Sequence, residues 1–583
     1  MVQLAGDALS ALPLPAGRRY GAGARRLRVA AAALAGAPLL LAALALWGWP
    51  LGGFLGQALF PGLTHGSLHA SLAAFPQAWQ GGGAQALRNS FLAATAASLL
   101  ALPLGAWLAW LRERTQLAWR AWIEAACWLL LVMPGYFVAS GWMLLAAPVG
   151  PLAHLPWLLA PAQALLGPAG IVLSLAFKAL PYTFLALQLS LRGASAAPQE
   201  AARVLGLRRR QRLLLAAAAL LPALAAGFAA AFAESASDFA IAATLGAGSG
   251  TVMATYAIEQ SVAALPLNFP QAAAASWMLL GLVVPALLLQ GVARRRAVAA
   301  RSVGARHRPP SPLRLAPRQA RLHGAGAALL ALLALGVPLL SAASLALGGS
   351  SHGDGFLHDA LQLLPSFGYS LRMAVLAASV TTALAWPAAR ALGSESRLGR
   401  AVDLGLTAAM ALPGIVLAAA YVQMYNLPIT PWYGGSGLLA MAYVALALPA
   451  ATRLLQGPVA QLHGSLAEAA RVHGLKPWQV LLRIEAPLLA PALGAAWLLA
   501  ALHVAFELPA SQLLYPPGHA PLAVALLNAA AGFQLRLQAR LQLLGMGLLM
   551  GFAALARWAW ARARRAAAPP TPAPAPAPAG AAT

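Results

Sequence analysis

The sequence predicts an all-α membrane protein of about twelve transmembrane helices, arranged as two parallel six-helix repeats. Three observations carry that expectation. Of the 583 residues, 60% are hydrophobic and only 9% charged, too little charge to cover the surface of a soluble chain. Apolar runs recur at about the 20-residue length that crosses a bilayer. The loops between them alternate between arginine-rich and free of Lys and Arg.

The runs fall near 29–49, 89–111, 121–146, 168–191, 213–234 and 271–293, then near 322–347, 367–391, 402–425, 436–455, 486–508 and 538–560. Backbone groups in lipid must be satisfied within the segment, and runs of this length are too long for barrel strands, so helices are predicted. Five arginines between Arg18 and Arg28 precede the first run. That run is too long for the core of a cleavable signal peptide, so an uncleaved first helix is expected. The segment from 566 to 583, of Ala and Pro low complexity, is expected to be disordered.

A net charge of +25 on a soluble chain would suggest nucleic acid. Here the bases sit in alternate loops, which points to membrane topology and no nucleic-acid partner. Arg112, Arg114 and Arg120 lie in one loop, and Arg192, Arg203, Arg208, Arg209, Arg210 and Arg212 in the next basic one. The connector 294–321 carries nine arginines and no acid; Arg390, Arg397 and Arg400, then Arg453, Arg471 and Lys476, and then Arg557, Arg562, Arg564 and Arg565 follow. The loops at 52–87, 147–167, 235–270, 349–366 and 426–435 hold no Lys or Arg. Both termini are therefore expected in the cytoplasm. Arg536 and Arg540 are the exceptions, expected in a segment packed at the outer surface. The single cysteine, Cys127, excludes an intrachain disulfide.

Internal repetition divides the chain. Glu200-Ala201-Ala202-Arg203-Val204 with Gly206-Leu207 recurs as Glu468-Ala469-Ala470-Arg471-Val472 with Gly474-Leu475. Pro181 precedes Pro449 by the interval that separates Glu200 from Glu468; Met133-Pro134-Gly135 matches Leu412-Pro413-Gly414, and Ser90 matches Ser370. Six spans between copies keep the same orientation, so the repeats are parallel. The expected units are 1–293, the basic connector 294–321, 322–565 and the tail 566–583. The two prolines, 134 and 413, are expected to kink spans three and nine.

The two Glu-Ala-Ala segments fall in cytoplasmic loops, between spans four and five and between ten and eleven. Together they resemble the EAA signature of binding-protein-dependent ABC importer permeases, in the fused two-half form: Glu-Ala-Ala, three residues, Gly, nine residues, Ile-x-Leu-Pro. The second copy continues to Ile484-Glu485-Ala486-Pro487; the first has Ala216 and Ala219 where Ile and Pro stand in the signature, with Pro222 three residues late. The resemblance implies that Glu200, Ala201, Ala202, Gly206, Glu468, Ala469, Ala470 and Gly474 belong to helices that couple the permease to two ABC ATPase subunits. It also implies a periplasmic solute-binding protein as partner and the bacterial inner membrane as location. The only lysines are Lys178 and Lys476, neither in a Gly-Lys-Ser/Thr loop, so the chain is expected to be no enzyme and to hold no cofactor, with ATP bound by its partners.

After span five the sequence reads Phe232-Ala233-Glu234, then Asp238-Phe239; after span eleven it reads Phe506-Glu507-Leu508-Pro509-Ala510-Ser511. These resemble segments of the ferric-iron permease branch, although Ala240 stands where that branch usually has Gly. Thiamine, 2-aminoethylphosphonate, polyamine and sulfate permeases share the architecture and are alternatives. Glu234, Asp238, Glu507 and Lys178 are the candidate pathway residues, because an ionisable group deep in a membrane faces a pathway or a partner. Two readings stand for each: Glu234 and Glu507 as a carboxylate pair at the outer entrance or as structural helix ends, Lys178 as a solute contact or as the partner of an acid. The histidines lack ligand spacing, and no metal site is predicted. An ion-coupled secondary transporter would need no EAA segments, and a membrane-embedded enzyme would cluster acids where only Asp354 and Asp359 stand.

Overall fold

The computed structural model describes residues 37–299, 311–348, 356–393, 396–462 and 464–567. The N-terminal arginines, the start of the first apolar run, much of the basic connector, Asp354 and the tail beyond 567 lie outside the described residues.

The chain is an all-α membrane protein. Among the described residues nine helices are long and apolar enough to cross a membrane, or up to eleven if each of two bent pairs is one span. In chain order the helices are α1 (Ala37–Gly56), α2 (Ala84–Arg114), α3 (Arg120–Val132), α4 (Gly135–Leu145), α5 (Pro156–Ala164), α6 (Pro168–Arg192), α7 (Ala197–Val204) and α8 (Arg209–Ser237). Next come α9 (Ala254–Ala263), α10 (Phe269–Ala299), α11 (Pro317–Leu347), α12 (Phe356–Leu392), α13 (Arg397–Met410), α14 (Gly414–Met424), α15 (Ser436–Ala460) and α16 (Gly464–Val472). The last are α17 (Trp478–Ala505), α18 (Pro509–Leu514), α19 (Leu522–Ala531) and α20 (Leu535–Ala567). The twelfth predicted span coincides with α20, which is not among the nine.

Spans three and nine are not kinked helices but breaks. Helices α3 and α4 meet at 95°, and α13 and α14 at 103°. A proline drives the residue before it out of the helical region. Met133 (ψ 128°) and Pro134 (ψ 144°) are accordingly both extended, and Pro413 is extended at ψ 136°. Two extended residues turn the chain much further than the loss of one helical hydrogen bond would.

Small residues let the helices approach closely, which is how helices associate when lipid is as apolar as their side chains. Ala94, Ala97 and Ala101 are fully buried along α2, as are Ala374, Ala377, Ala378 and Ala385 along α12. At the α2–α6 crossing a Cβ on Gly105 would lie 2.0 Å from Thr183 Oγ1, and Thr183 donates to the Ala101 carbonyl at 2.9 Å. Helices α2, α6 and α8 form one packed group, and α12, α15 and α17 another.

The first helix of each group crosses to the other. Helix α1 packs on α14, where Tyr421 and Tyr425 donate to the Leu46 and Ala45 carbonyls at 3.0 and 2.6 Å. Helix α11 packs on α4, where Ser341 donates to the Gly141 carbonyl at 2.8 Å. Helix α20 joins the same contact through Gln542, which donates to the Phe137 and Pro338 carbonyls and accepts from Ser140. Arg540, just before the last predicted span, is buried against the end of α11, its Nε 3.5 Å from the Ala346 carbonyl oxygen.

Candidate functional site

The two Glu-Ala-Ala segments form the short helices α7 and α16, each followed by a long helix. Both end alike. Leu207 N–H donates to the Ala202 carbonyl at 3.0 Å, and Leu475 N–H to the Ala470 carbonyl at 3.1 Å. Between each pair sits a glycine in the left-handed region, Gly206 at φ +68° and Gly474 at φ +77°. A six-to-one bond closed over a left-handed residue is the Schellman ending, which favours glycine because no Cβ opposes that conformation.

The burial pattern also repeats. Glu200 and Ala201 are exposed while Ala202 is buried; Glu468 and Ala469 are exposed while Ala470 is buried. Val204 and Val472 are both 86% exposed, and Leu205 is 76% exposed. Among the described side chains, each helix thus buries the second alanine of its motif and presents an acid and a branched apolar side chain outward.

Three of the four predicted pathway residues, Lys178, Glu234 and Asp238, gather at the break between α3 and α4. Lys178, in the middle of α6, donates from Nζ to the Leu131 carbonyl at 2.9 Å and the Met133 carbonyl at 2.7 Å. These are carbonyls that the broken helix leaves without an intrahelical donor, and a lysine there satisfies them. Glu234 and Asp238 also act electrostatically on the Lys178 ammonium. Of the readings open for Lys178, the geometry combines a backbone cap with acidic neighbours.

Asp238 Oδ1 accepts from the Ile241 backbone N–H at 2.6 Å, and its carboxylate faces Gly135, where a Cβ would lie 2.9 Å from Oδ2. Glu507 does the same at the second break. Its Oε1 accepts from Ala510 N–H at 2.9 Å, and its Oε2 from Ser511 N–H at 3.0 Å and Ser511 O–H at 3.2 Å. Glu507 lies next to Gly414, 3.8 Å from where its Cβ would be. In bonding role Glu507 is therefore matched by Asp238 and not by Glu234. Glu234 caps no backbone group among the described residues; the Tyr182 hydroxyl, one turn beyond Lys178, is its hydrogen-bonding neighbour.

Three further residues join these groups. His503 on α17 lies within electrostatic reach of Lys178. Tyr136, buried and with no partner for its hydroxyl among the described residues, stands beside Glu507 and Tyr443. Tyr443 in turn shares a 2.7 Å hydrogen bond with Ser511. In the sequence, Tyr182 was discernible by its helical spacing of four from Lys178, and His503 by the same spacing from Glu507. Nothing local marks Tyr136, whose neighbours come from the other end of the chain.

Near the arginine-rich ends, ion pairs tie the helices together. Glu124 bonds Arg112 at 2.7 Å and Arg192 at 3.1 Å, Arg390 bonds Glu485 at 2.6 Å, and Arg453 bonds Asp403 at 2.7 Å. Among the described residues no three His, Cys, Asp or Glu side chains are grouped as they would be around a metal ion. Neither a protein-family model nor a curated protein matches the chain.

Proposed function

We propose that this chain is the fused permease subunit of an ATP-driven solute importer, in which α7 and α16 receive the motion of two separate ATPase subunits. The observation that carries this reading is the identity of the two loop helices in ending, glycine conformation and burial. A helix held by one buried alanine, offering a glutamate and exposed valine to another protein, suits a rigid body seated in a cleft. A single such loop would be unremarkable; two of them, at corresponding places, suit a pair of identical or similar subunits.

A two-fold arrangement supports the same reading. Ser90 Oγ accepts from Ala254 N–H and Ser370 Oγ from Leu522 N–H, both at 2.8 Å. The two acceptors belong to the matched span pair, and the two donors are separated by the interval from Glu200 to Glu468. The two breaks and the crossed first helices add further paired features. On this reading the halves are parallel repeats, the membrane is the bacterial inner membrane, and both termini are cytoplasmic by the loop-charge rule. A periplasmic binding protein delivers the solute, and ATP and the loaded binding protein both favour the outward-open state. The sequence resemblance puts ferric iron first among the solutes.

The test is substitution of the left-handed glycines. Gly206→Glu with Gly474→Glu in the native host should leave the chain inserted while the ATPase subunits no longer copurify with it and uptake is abolished. Normal copurification and normal uptake with both changes present would remove the coupling assignment.

A further inference from the structure

The groups at the first break do not all have the same freedom. The Lys178 ammonium has three hydrogens, and two are spent on the Leu131 and Met133 carbonyls. Asp238 is committed to the backbone at Ile241. Glu234, whose hydrogen-bonding neighbour among the described residues is the Tyr182 hydroxyl, has unused acceptor capacity.

None of these side chains is fully covered by protein. Lys178, Tyr182, Glu234 and Asp238 are partly exposed, and His503 is exposed. They do not sit on one helix face turned to lipid. Lys178 and Tyr182 on α6 face Glu234 and Asp238 at the end of α8, and His503 approaches from α17 in the other packed group. Helices α6 and α17 do not pack extensively against each other, yet the ammonium and the imidazole are within electrostatic reach. Ionisable groups in apolar spans face a partner or a water-filled cavity.

The spacing explains why these groups meet. Asp238 and Glu507 share a bonding role, and the interval between them also separates Ile241 from Ala510 and Pro222 from Pro491. The same interval carries Glu234 to His503. The residue in the second group that corresponds to this glutamate is thus the histidine within electrostatic reach of Lys178.

We propose that Lys178, Tyr182, Glu234, Asp238 and His503 line a chamber between the two helix groups that binds a positively charged solute, and that Glu234 is the group that meets it. One ammonium stands against two carboxylates, which leaves an excess negative charge when the imidazole is neutral. A bare oxyanion entering this space would meet the free glutamate, while the lysine that would greet it is held by carbonyls. The inference rests on the transport reading and selects cationic solutes within it, against sulfate and phosphonate.

The potential of the chamber can be measured without knowing the solute. Cys127 is the only cysteine and is buried, so a Cys127→Ala background is free of thiols. In that background the full-length His503→Cys protein, in lipid nanodiscs, is treated with the trimethylammonium-ethyl and sulfonatoethyl methanethiosulfonates. Each rate is normalised to that of a simple thiol in solution. A cleft lined by one sign of charge concentrates the opposite sign by about tenfold or more, so the cationic reagent should lead by about that factor. Adding Glu234→Gln, which keeps the side chain's size, should reduce the preference several-fold, and Lys178→Met should increase it. If Lys178→Met does not fold, Glu234→Gln alone decides. A thiol that neither reagent reaches would remove the chamber, and a preference that is absent, reversed or insensitive to Glu234→Gln would remove the charge selectivity. No ATPase enters this measurement, so either failure would leave the coupling assignment standing, and failure of the glycine test would leave the chamber standing.

Discussion

The two broken spans reach nearly the same bend, 95° and 103°, by different means. At the first, Lys178 satisfies the freed carbonyls of Leu131 and Met133, and Asp238 beside them holds the Ile241 N–H. At the second, the position that corresponds to Lys178 by the interval from Glu200 to Glu468 is Leu446. The order there comes from Glu507, which holds the Ala510 and Ser511 N–H groups. Proline chemistry therefore sets the bend at both places, while side chains decide what the bend presents. The first gathers an ammonium and two carboxylates. The second closes on itself, with a carboxylate whose two oxygens accept from three donors.

The largest expected difference follows from replacing the same two positions by methionine. Lys178→Met leaves two carbonyls without their donor and two carboxylates without their cation, and each lost hydrogen bond to a charged group costs about 1.5–3 kcal/mol. Leu446→Met nearly conserves volume and should cost less than about 1.5 kcal/mol. Thermal inactivation of the purified protein in detergent would compare them. Equal losses would mean that the two breaks are supported alike.

A smaller contrast is expected at the glycines beside the carboxylates. A Cβ on Gly135 would meet Asp238 Oδ2 at 2.9 Å, whereas on Gly414 the nearest atom is Pro509 Cβ at 3.3 Å. Gly135→Ala should push the carboxylate off its backbone donor and cost about 1–3 kcal/mol. Gly414→Ala asks the proline to give by a few tenths of an ångström and should cost less than Gly135→Ala. The same melting measurement decides; a larger loss at Gly414 would contradict the contrast.

Where the two groups of helices are alike, substitutions should cost the same. Ser90→Ala and Ser370→Ala each strip one buried backbone N–H of its acceptor, at Ala254 and Leu522, a loss of about 1–3 kcal/mol. Their values should agree within about 0.5 kcal/mol. The smallest pair is Gly206→Ala and Gly474→Ala. Both sites have open space for a methyl group, so the cost is conformational, about 1 kcal/mol at each. Unequal melting shifts within either pair would show that the repetition is one of sequence without a shared local structure.

Most spans were legible because their signal is compositional. A run such as Pro168–Arg192 holds a single charge, Lys178, before its terminal arginine, and is too apolar for the surface of a soluble chain. The breaks at Pro134 and Pro413 were legible in position but not in size, since the bend depends on how many residues around each proline leave the helical region. Lys178 and Glu234 were legible as ionisable groups in apolar surroundings. Their roles were not, because the carbonyls that Lys178 caps belong to residues 131 and 133, in another span. The likeness of Asp238 to Glu507 was also hidden, since one is a methylene shorter in side chain and the eye pairs the two glutamates.

What the sequence determined by itself was therefore local: which segments are apolar enough to leave water, where proline stops a helix, and where a glycine must turn it. Each is a property of a residue and its neighbours in the chain. The tertiary structure decided what those segments meet. It carried α1 to α14 and α11 to α4, committed Lys178 to two carbonyls, left Glu234 beside the Tyr182 hydroxyl, and brought His503 within electrostatic reach of Lys178. Those outcomes depend on which hydrogen-bond donors and acceptors remain unsatisfied after the helices pack, and that is settled only when distant parts of the chain come together.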